Sequence, residues 1–246
     1  MLSTGSLLYK TRYRPFYVLP IPMRQRQCKS GLQRRCLSRS IGTFTHYIIG
    51  TALPRNSTNL NEEIMFIPVG YLYKKVMQKP DWLTASVDYI YSISGCVSEN
   101  FTDYINYWLH NGWWLFDLPQ VMQQIASKEA IDLSTLQLFY YEVYSLAYDG
   151  GTKEWFSFEP EASMVTNVDV PAKKQLQGFD VANFCAGTNP ECSPLSCNHL
   201  AAETKVNSHC LFEHFDDAKQ ALEQGVFEHG EPGPYRIFAV YKIKQQ

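Results

Sequence analysis

The charge of this sequence divides it into two parts near residue 61. Residues 1–61 contain ten Lys or Arg residues and neither Asp nor Glu, whereas residues 62–246 contain twelve Lys or Arg and twenty-four acidic residues. The two parts therefore carry net charges of +10 and −12, which sum to the overall −2. Because the regular apolar runs begin only near Glu62, the folded body is predicted to comprise residues 62–246.

Residues 1–42 combine basic residues with Ser, Pro and Gln, and three interpretations of this leader remain open. The first is a disordered leader, or a start site placed too early in the chain. The second is an organelle-targeting peptide, since such peptides are rich in Arg and Ser and poor in acidic residues, although Pro15, Pro20 and Pro22 would interrupt an amphipathic helix. The third is a basic arm that contacts nucleic acid or an anionic membrane. Residues 43–61 are interpreted as a connector.

The pattern of residues 62–246 predicts a single α+β domain, with a mainly antiparallel sheet packed by about three to four helices. The sixteen Tyr, fourteen Phe and five Trp residues favour strands. Strands are predicted at residues 64–69, 87–97, 136–148, 154–158, 178–184 and 235–243. Helices are predicted at residues 99–110, 119–127 and 216–224, with a further short helix beginning at Cys197.

Three of these elements have distinct local signals. Asp149-Gly150-Gly151 separates two aromatic-rich runs, which predicts a hairpin. Pro119 is suited to the first turn of a helix. In residues 235–243, Ile237 and Ala239 alternate with Arg236 and Phe238, as expected of a strand that has two different faces.

The stretch from Cys185 to His214 is the chemically unusual part of the sequence, because it contains four of the seven cysteines and three of the six histidines. Its cysteines are separated by six, four and twelve residues, which is looser than the close pairs of a typical structural zinc site. One interpretation is nevertheless a zinc-stabilised module, in which histidines complete the ligand set. Its candidate ligands are Cys185, Cys192, Cys197 and Cys210, with His199, His209 and His214 available.

A second interpretation of the same stretch is a reactive thiol. Ser196 is predicted to cap a helix whose first residue is Cys197, so that free backbone N–H groups and the helix dipole would stabilise a thiolate. His199 or His209 would then act as the base that accepts the thiol proton. The alternative is that these cysteines are small buried apolar residues that pack a proline-containing loop.

The sequence lacks the common catalytic and cofactor motifs, namely the P-loop, the dinucleotide-binding glycine fingerprint and the H-E-x-x-H zinc motif. No cofactor is therefore predicted, with zinc as the alternative. The acidic body disfavours general nucleic-acid binding. No stretch approaches the ~18 apolar residues of a membrane span. With no secretory signal peptide and an odd number of cysteines, free thiols and a cytoplasmic location are expected, unless residues 1–42 target an organelle.

The function that these features favour is recognition of another protein through an acidic, aromatic-rich surface, since Trp and Tyr are enriched among interface hot spots. The alternative functions are a thiol-dependent enzyme that uses Cys197, with His199 or His209 as base, and the zinc-stabilised module.

Overall fold

The computed structural model describes residues 65–95, 97–101, 111–160, 162, 166–184, 192–230 and 233–244. The predicted leader and connector, and most of the predicted helix at residues 99–110, lie outside these residues. The described chain has an α+β fold with a mainly antiparallel sheet, as the sequence predicts. No helix among the described residues is long and apolar enough to cross a membrane.

In the part of the chain that the structure describes, three α-helices are interspersed among the strands. The strands are β1 (Phe66–Lys74), β2 (Met77–Gln78), β3 (Tyr89–Ile90), β4 (Gln137–Tyr144), β5 (Leu146–Asp149), β6 (Glu154–Ser157), β7 (Gln175–Asn183) and β8 (Tyr235–Lys242). The helices are α1 (Pro119–Glu129), α2 (Pro194–Cys197) and α3 (Phe215–Glu223), and a 3-10 turn spans Leu200–Ala202.

Strand β8 is at the centre of a six-stranded sheet. It pairs with β4 on one side and with β7 on the other, and β1 pairs with the far side of β4. The short strands β5 and β6 form the predicted hairpin, and β5 contacts β8 through the pair Tyr148 and Tyr235. All of these pairings are antiparallel.

The two faces of β8 belong to two hydrophobic cores, which explains the alternating sequence of this strand. Phe238 and Val240 lie in the first core, together with Met122 and Ile125 of α1. Ile237 and Ala239 lie in the second core, which α3 covers with buried side chains that include Phe215 and Leu222.

Flanking segments cover part of the outer edges of β1 and β7. Tyr71 exchanges two backbone hydrogen bonds with Phe116, of 2.8 and 3.0 Å, and Phe179 exchanges two bonds of 2.9 Å with Phe212. A protected edge does not offer its N–H and C=O groups to another chain. These contacts also fix the segment at residues 207–212 against β7.

Several predicted element boundaries differ from the structure, and two of them have a clear physical reason. The strand predicted at residues 87–97 extends only over Tyr89–Ile90, because the backbone groups that follow are bonded to side chains of β1 and β7. Helix α3 begins at Phe215 with His214 as its N-cap residue. Asp216, where the helix was predicted to begin, therefore lies in the first turn, where an acidic residue interacts favourably with the helix dipole.

Candidate functional site

Lys74 and Asp180 lie buried on the two strands that flank the sheet, β1 and β7. The Lys74 ammonium donates to the carbonyl oxygens of Ser92 and Ser94, at 2.5 and 2.6 Å. Asp180 Oδ2 accepts from the backbone N–H of Ile93 at 2.8 Å. The two charged side chains therefore hold the segment Ser92-Ile93-Ser94 from both sides, and we call this group the Lys74–Asp180 cluster.

The carboxylate of Asp180 also fixes the start of α2, because Ser193 Oγ donates to Asp180 Oδ1 at 2.6 Å. Burial raises the pKa of the Asp180 carboxyl above its usual value of 3.8. Hydrogen bonds from Ser193, Ile93 and Ser92, and the charge of Lys74, act in the opposite direction. A buried carboxylate with a perturbed pKa and a cationic partner is a common feature of both active sites and structural ion pairs.

The structure places Cys197 at the other end of its helix from the predicted position. Helix α2 begins at Pro194, with Ser193 as the N-cap residue, and Cys197 is its last residue. The Cys197 N–H donates to the Ser193 carbonyl oxygen at 2.8 Å. The prediction of Ser196 as N-cap and Cys197 as first helical residue is therefore wrong, and the helix dipole does not stabilise a Cys197 thiolate.

The three described cysteines have different surroundings. Cys192 and Cys210 are buried, whereas Cys197 is partly exposed. Cys197 Sγ lies 3.6 Å from the hydroxyl oxygen of Ser94, whose carbonyl binds Lys74. Burial first, then the charges of Asp180 and Cys197, raise the pKa of the Cys210 thiol to about 12. Cys197 is thus the accessible thiol of the three.

In pulse alkylation at pH 7.5, we expect Cys197 to react with iodoacetamide at least ~100-fold faster than Cys192 or Cys210. The physical reason is that the thiolate is the reactive form and that burial both excludes the reagent and suppresses ionisation. Mass spectrometry of the labelled peptides measures each rate, and labelling in guanidinium chloride should make the three rates similar. Labelling of native Cys210 as fast as Cys197 would contradict the described packing.

Both histidines that were predicted to serve Cys197 stack on aromatic rings. His199 lies edge-on to Trp82, with ring centroids 4.7 Å apart, and His209 stacks on Tyr91 at 4.4 Å. Burial lowers the pKa of His209, and a hydrogen bond with the backbone of Gln177 opposes that effect. The structure brings the two histidines into an aromatic surface, and their assignment as bases for Cys197 stays a prediction.

The hairpin of β2 and β3 forms this surface together with the loop that carries the histidines. The backbone N–H groups of Asp88 and Tyr89 both donate to the Ser208 carbonyl oxygen, at 2.8 and 3.1 Å. Trp82 and Tyr89 are 44% and 39% exposed, among the larger exposures of apolar side chains in the described residues. We call this group the Trp82–Tyr89 surface; it comprises Trp82, Tyr89, His199 and His209, together with the buried Tyr91 on which His209 stacks.

The predicted zinc ligands are only partly within the described residues, because Cys185 lies outside them. Cys192 Sγ donates to Asn198 Oδ1 at 3.8 Å, and Cys210 packs in the second hydrophobic core. The described residues contain no group of three or more His, Cys, Asp or Glu side chains arranged to hold a metal. The zinc-stabilised module stays an untested alternative.

A surface depression of 440 Å³ lies between the turn of the β5–β6 hairpin and the chain that follows α3. It is lined by residues that include Tyr148, Phe227 and Tyr235, and an ion pair of 3.0 Å joins Lys153 to Glu228 at this place. The depression shares no lining residue with the Lys74–Asp180 cluster or the Trp82–Tyr89 surface. We therefore assign it no part in either.

Sequence reasoning missed Lys74 and Asp180, and it did not single out Arg236 as a site residue. Each of these is a charged residue within an apolar strand, in the sequences YLYKK, GFDVANF and YRIFAV. Since charged residues are rarely buried without a partner, a charged residue within or next to an apolar run is the signal that could have identified them. Comparisons of the chain with protein-family models, with curated proteins and with solved structures found no match.

Proposed function

We propose that this protein recognises another protein through the Trp82–Tyr89 surface. The observation that supports the proposal is the joint exposure of Trp82 and Tyr89, at 44% and 39%, on a hairpin whose backbone is held in place. Large aromatic side chains supply much of the energy of protein interfaces, because each buries a large area with few rotatable bonds.

The hairpin is suited to present these side chains without reorganisation. Between Trp82 and Tyr89, the buried residues Leu83, Ala85 and Val87 alternate with exposed ones and anchor the segment in the second hydrophobic core. The contact of Trp82 with His199 further restricts the indole ring. A side chain that is ordered before binding loses less conformational entropy on association, which favours this surface as a recognition site.

The charge of the chain favours a basic partner. Residues 62–246 have a net charge of −12, and the exposed carboxylates of Asp81 and Asp88 flank the aromatic side chains. Complementary charge steers association and has little effect once salt screens it. We therefore propose a partner segment that carries apolar and basic side chains, with an association rate that falls as salt rises.

Replacing Trp82 with alanine is expected to weaken binding of this partner by at least ~30-fold, which is about 2 kcal/mol, because truncation removes a central aromatic contact. The partner is first identified by photo-crosslinking from a benzoylphenylalanine placed at position 89 of the full chain. The dissociation constants of the wild-type chain and of the Trp82→Ala variant are then measured with the purified partner.

Val121 provides the matched control, since it is an exposed apolar residue, at 37%, on helix α1. The Val121→Ala variant should bind the partner as the wild type does, and a crosslinker at position 121 should not capture it. Circular dichroism should show both alanine variants folded. Equal loss of binding in the two variants, or capture of the same protein from both positions, would refute the proposal.

The second candidate is a thiol-dependent enzyme, and the partial exposure of Cys197 beside Ser94 favours it. Replacement of Cys197 with serine separates the two functions. A recognition protein keeps the affinity for its partner after this substitution. A thiol enzyme loses turnover, because a serine hydroxyl in the same place is a much weaker nucleophile at neutral pH.

A further inference from the structure

Arg236 is a fully buried arginine near the start of the central strand of the sheet. It lies on β8 opposite Ala182 of β7 and is 0% exposed. It is also the single arginine after residue 61, where the other eleven basic residues are lysines. Burial lowers the pKa of its guanidinium to about 10, so the side chain is still a cation at neutral pH.

Only part of the guanidinium is hydrogen-bonded by the described residues. Nη1 donates to the carbonyl oxygen of Phe158 at 2.5 Å. Nε and Nη2 are buried and have no hydrogen-bond partner among the described residues. Buried polar groups are nearly always paired, and an unpaired buried charge is more costly still. The two free nitrogens therefore require an explanation.

These two nitrogens are neighbours on one edge of the guanidinium. Their N–H groups point in the same direction and match the two oxygens of a carboxylate in a bidentate arrangement. Aromatic rings hold the orientation of this edge, because the guanidinium carbon lies 4.7 Å from the ring centroid of Trp113 and 5.1 Å from that of Phe158. Trp113 in turn contacts Phe184 and Phe238 edge-on.

The described carboxylates do not neutralise this charge by a direct bond. Glu159 acts on the guanidinium electrostatically, but it is exposed. Asp180 lies on the same strand as Ala182, two residues away, and its oxygens accept from Ile93 and Ser193. Among the described residues, the Nε–Nη2 edge of the cation thus has no hydrogen-bond partner, and its surroundings are apolar and aromatic.

We propose that the Nε–Nη2 edge of Arg236 binds the carboxylate of a small organic monoacid. A monocarboxylate supplies two coplanar oxygens for the two nitrogens and neutralises the single charge of the guanidinium. A phosphate dianion would instead leave a net negative charge among the aromatic rings, which is unfavourable in an apolar site. The rings of Trp113 and Phe158 favour an acid with an apolar or aromatic body. This site is independent of the Trp82–Tyr89 surface.

The test is thermal unfolding of the full chain in the presence of sodium benzoate, after long incubation because the edge is closed to solvent. Sodium acetate, inorganic phosphate and sodium chloride at equal ionic strength serve as comparison probes. We expect benzoate to raise the Tm in a saturable manner, by about 5–10 °C at a hundredfold excess over Kd. No saturable rise, or an equal rise with phosphate, would overturn the proposal.

Variants at the same position identify the site. Arg236→Lys keeps the charge but lacks the paired N–H edge, and it is expected to lower the affinity for benzoate at least ~10-fold. Arg236→Met should remove the response to benzoate, while its ligand-free Tm stays equal to that of the wild type or exceeds it, because an unpaired buried charge is removed. Lys205→Met, at an exposed lysine, should respond as the wild type does.

Glu159 provides the competing explanation, in which its carboxylate pairs with Arg236 in solution. In that case Glu159→Gln and Arg236→Met both lower the Tm of the ligand-free chain, and benzoate has no effect on the wild type. That pattern would overturn the proposal. An unchanged Tm for Glu159→Gln together with a response to benzoate that depends on Arg236 would support it.

Discussion

Replacing Lys74 with methionine is expected to lower the free energy of unfolding by about 3–5 kcal/mol, because it removes a buried cation that acts on the buried Asp180 carboxylate. The substitution nearly preserves the side-chain volume, so little of the loss comes from a cavity. It also leaves the carbonyl oxygens of Ser92 and Ser94 without the ammonium that they now bind. Denaturant unfolding monitored by fluorescence measures the change.

Two further variants test whether the effect depends on the interaction of Lys74 with Asp180. Lys205→Met, at an exposed lysine, should change stability by no more than about 0.5 kcal/mol. The double variant Lys74→Met/Asp180→Asn should be destabilised by about 1–3 kcal/mol less than the sum of the two single destabilisations. Additive single effects would mean that Lys74 and Asp180 act independently of each other.

The pH dependence of the Lys74→Met variant gives a further check on the same cluster. Burial already raises the pKa of Asp180 above 3.8 in the folded chain, and loss of the nearby cation should raise that pKa more. A carboxyl group whose pKa is higher in the folded state than in the unfolded state lowers stability at pH values above the folded-state pKa. This penalty disappears as the pH falls toward the pKa of the unfolded state. The deficit of the variant relative to the wild type should therefore shrink on acidification.

The sequence predicts correctly those elements that are specified by residues close to one another in the chain. The turn at Asp149-Gly150-Gly151 joins β5 to β6 as expected, and Pro119 begins helix α1. The alternation in β8 also corresponds to its two faces, with Arg236 and Phe238 on one and Ile237 and Ala239 on the other. In each case a local signal is stronger than any competing tertiary contact.

The parts that the sequence did not predict depend on contacts between distant residues. Asp180 lies 87 positions from Ile93 in the chain, yet its bond to that N–H keeps residues 91–95 from continuing as a strand. Asp180 also accepts from Ser193, so α2 begins at Pro194 and Cys197 falls at its end. A capping signal at Ser196 was plausible locally, but the earlier serine had the stronger tertiary partner.

The same reasoning explains why the sequence could not show how the residues of the Cys/His stretch are arranged in space. Its residues are distributed among several surroundings: Cys210 lies in the second core, Cys197 beside Ser94, and His199 against Trp82. Trp82 and Ser94 are more than 100 residues from these partners in the sequence. Spacing within one stretch could not indicate which of its side chains would face each other.

The second large effect concerns Gly178, at the point where β7 contains an irregularity in its pairing with β8. Gly178→Ala is expected to lower the free energy of unfolding by at least about 3 kcal/mol, from backbone strain and overpacking together. Its φ angle is +140°, which side chains other than glycine's rarely adopt. A Cβ atom at this position would lie 2.6 Å from the carbonyl oxygen of Phe212.

The neighbouring segment cannot easily move away from a new Cβ atom. Phe179 and Phe212 exchange two backbone bonds, and Asn207 Nδ2 donates to the Gln177 carbonyl oxygen at 2.8 Å. Gly150→Ala is the matched control, since a Cβ there would meet Tyr235 at an ordinary 3.6 Å, and its stability should change by less than about 1 kcal/mol. Denaturant unfolding compares the two variants.

Hydrogen exchange then locates the damage. In Gly178→Ala, the amide protons of Phe179 and Phe212 should exchange faster than in the wild type, because their mutual bonds are the first to be strained. Since the segment at residues 207–212 carries His209 and Cys210, alkylation of Cys210 should also accelerate. A Gly178→Ala variant that is as stable as Gly150→Ala, with unchanged exchange at Phe212, would mean that this segment is not fixed against β7.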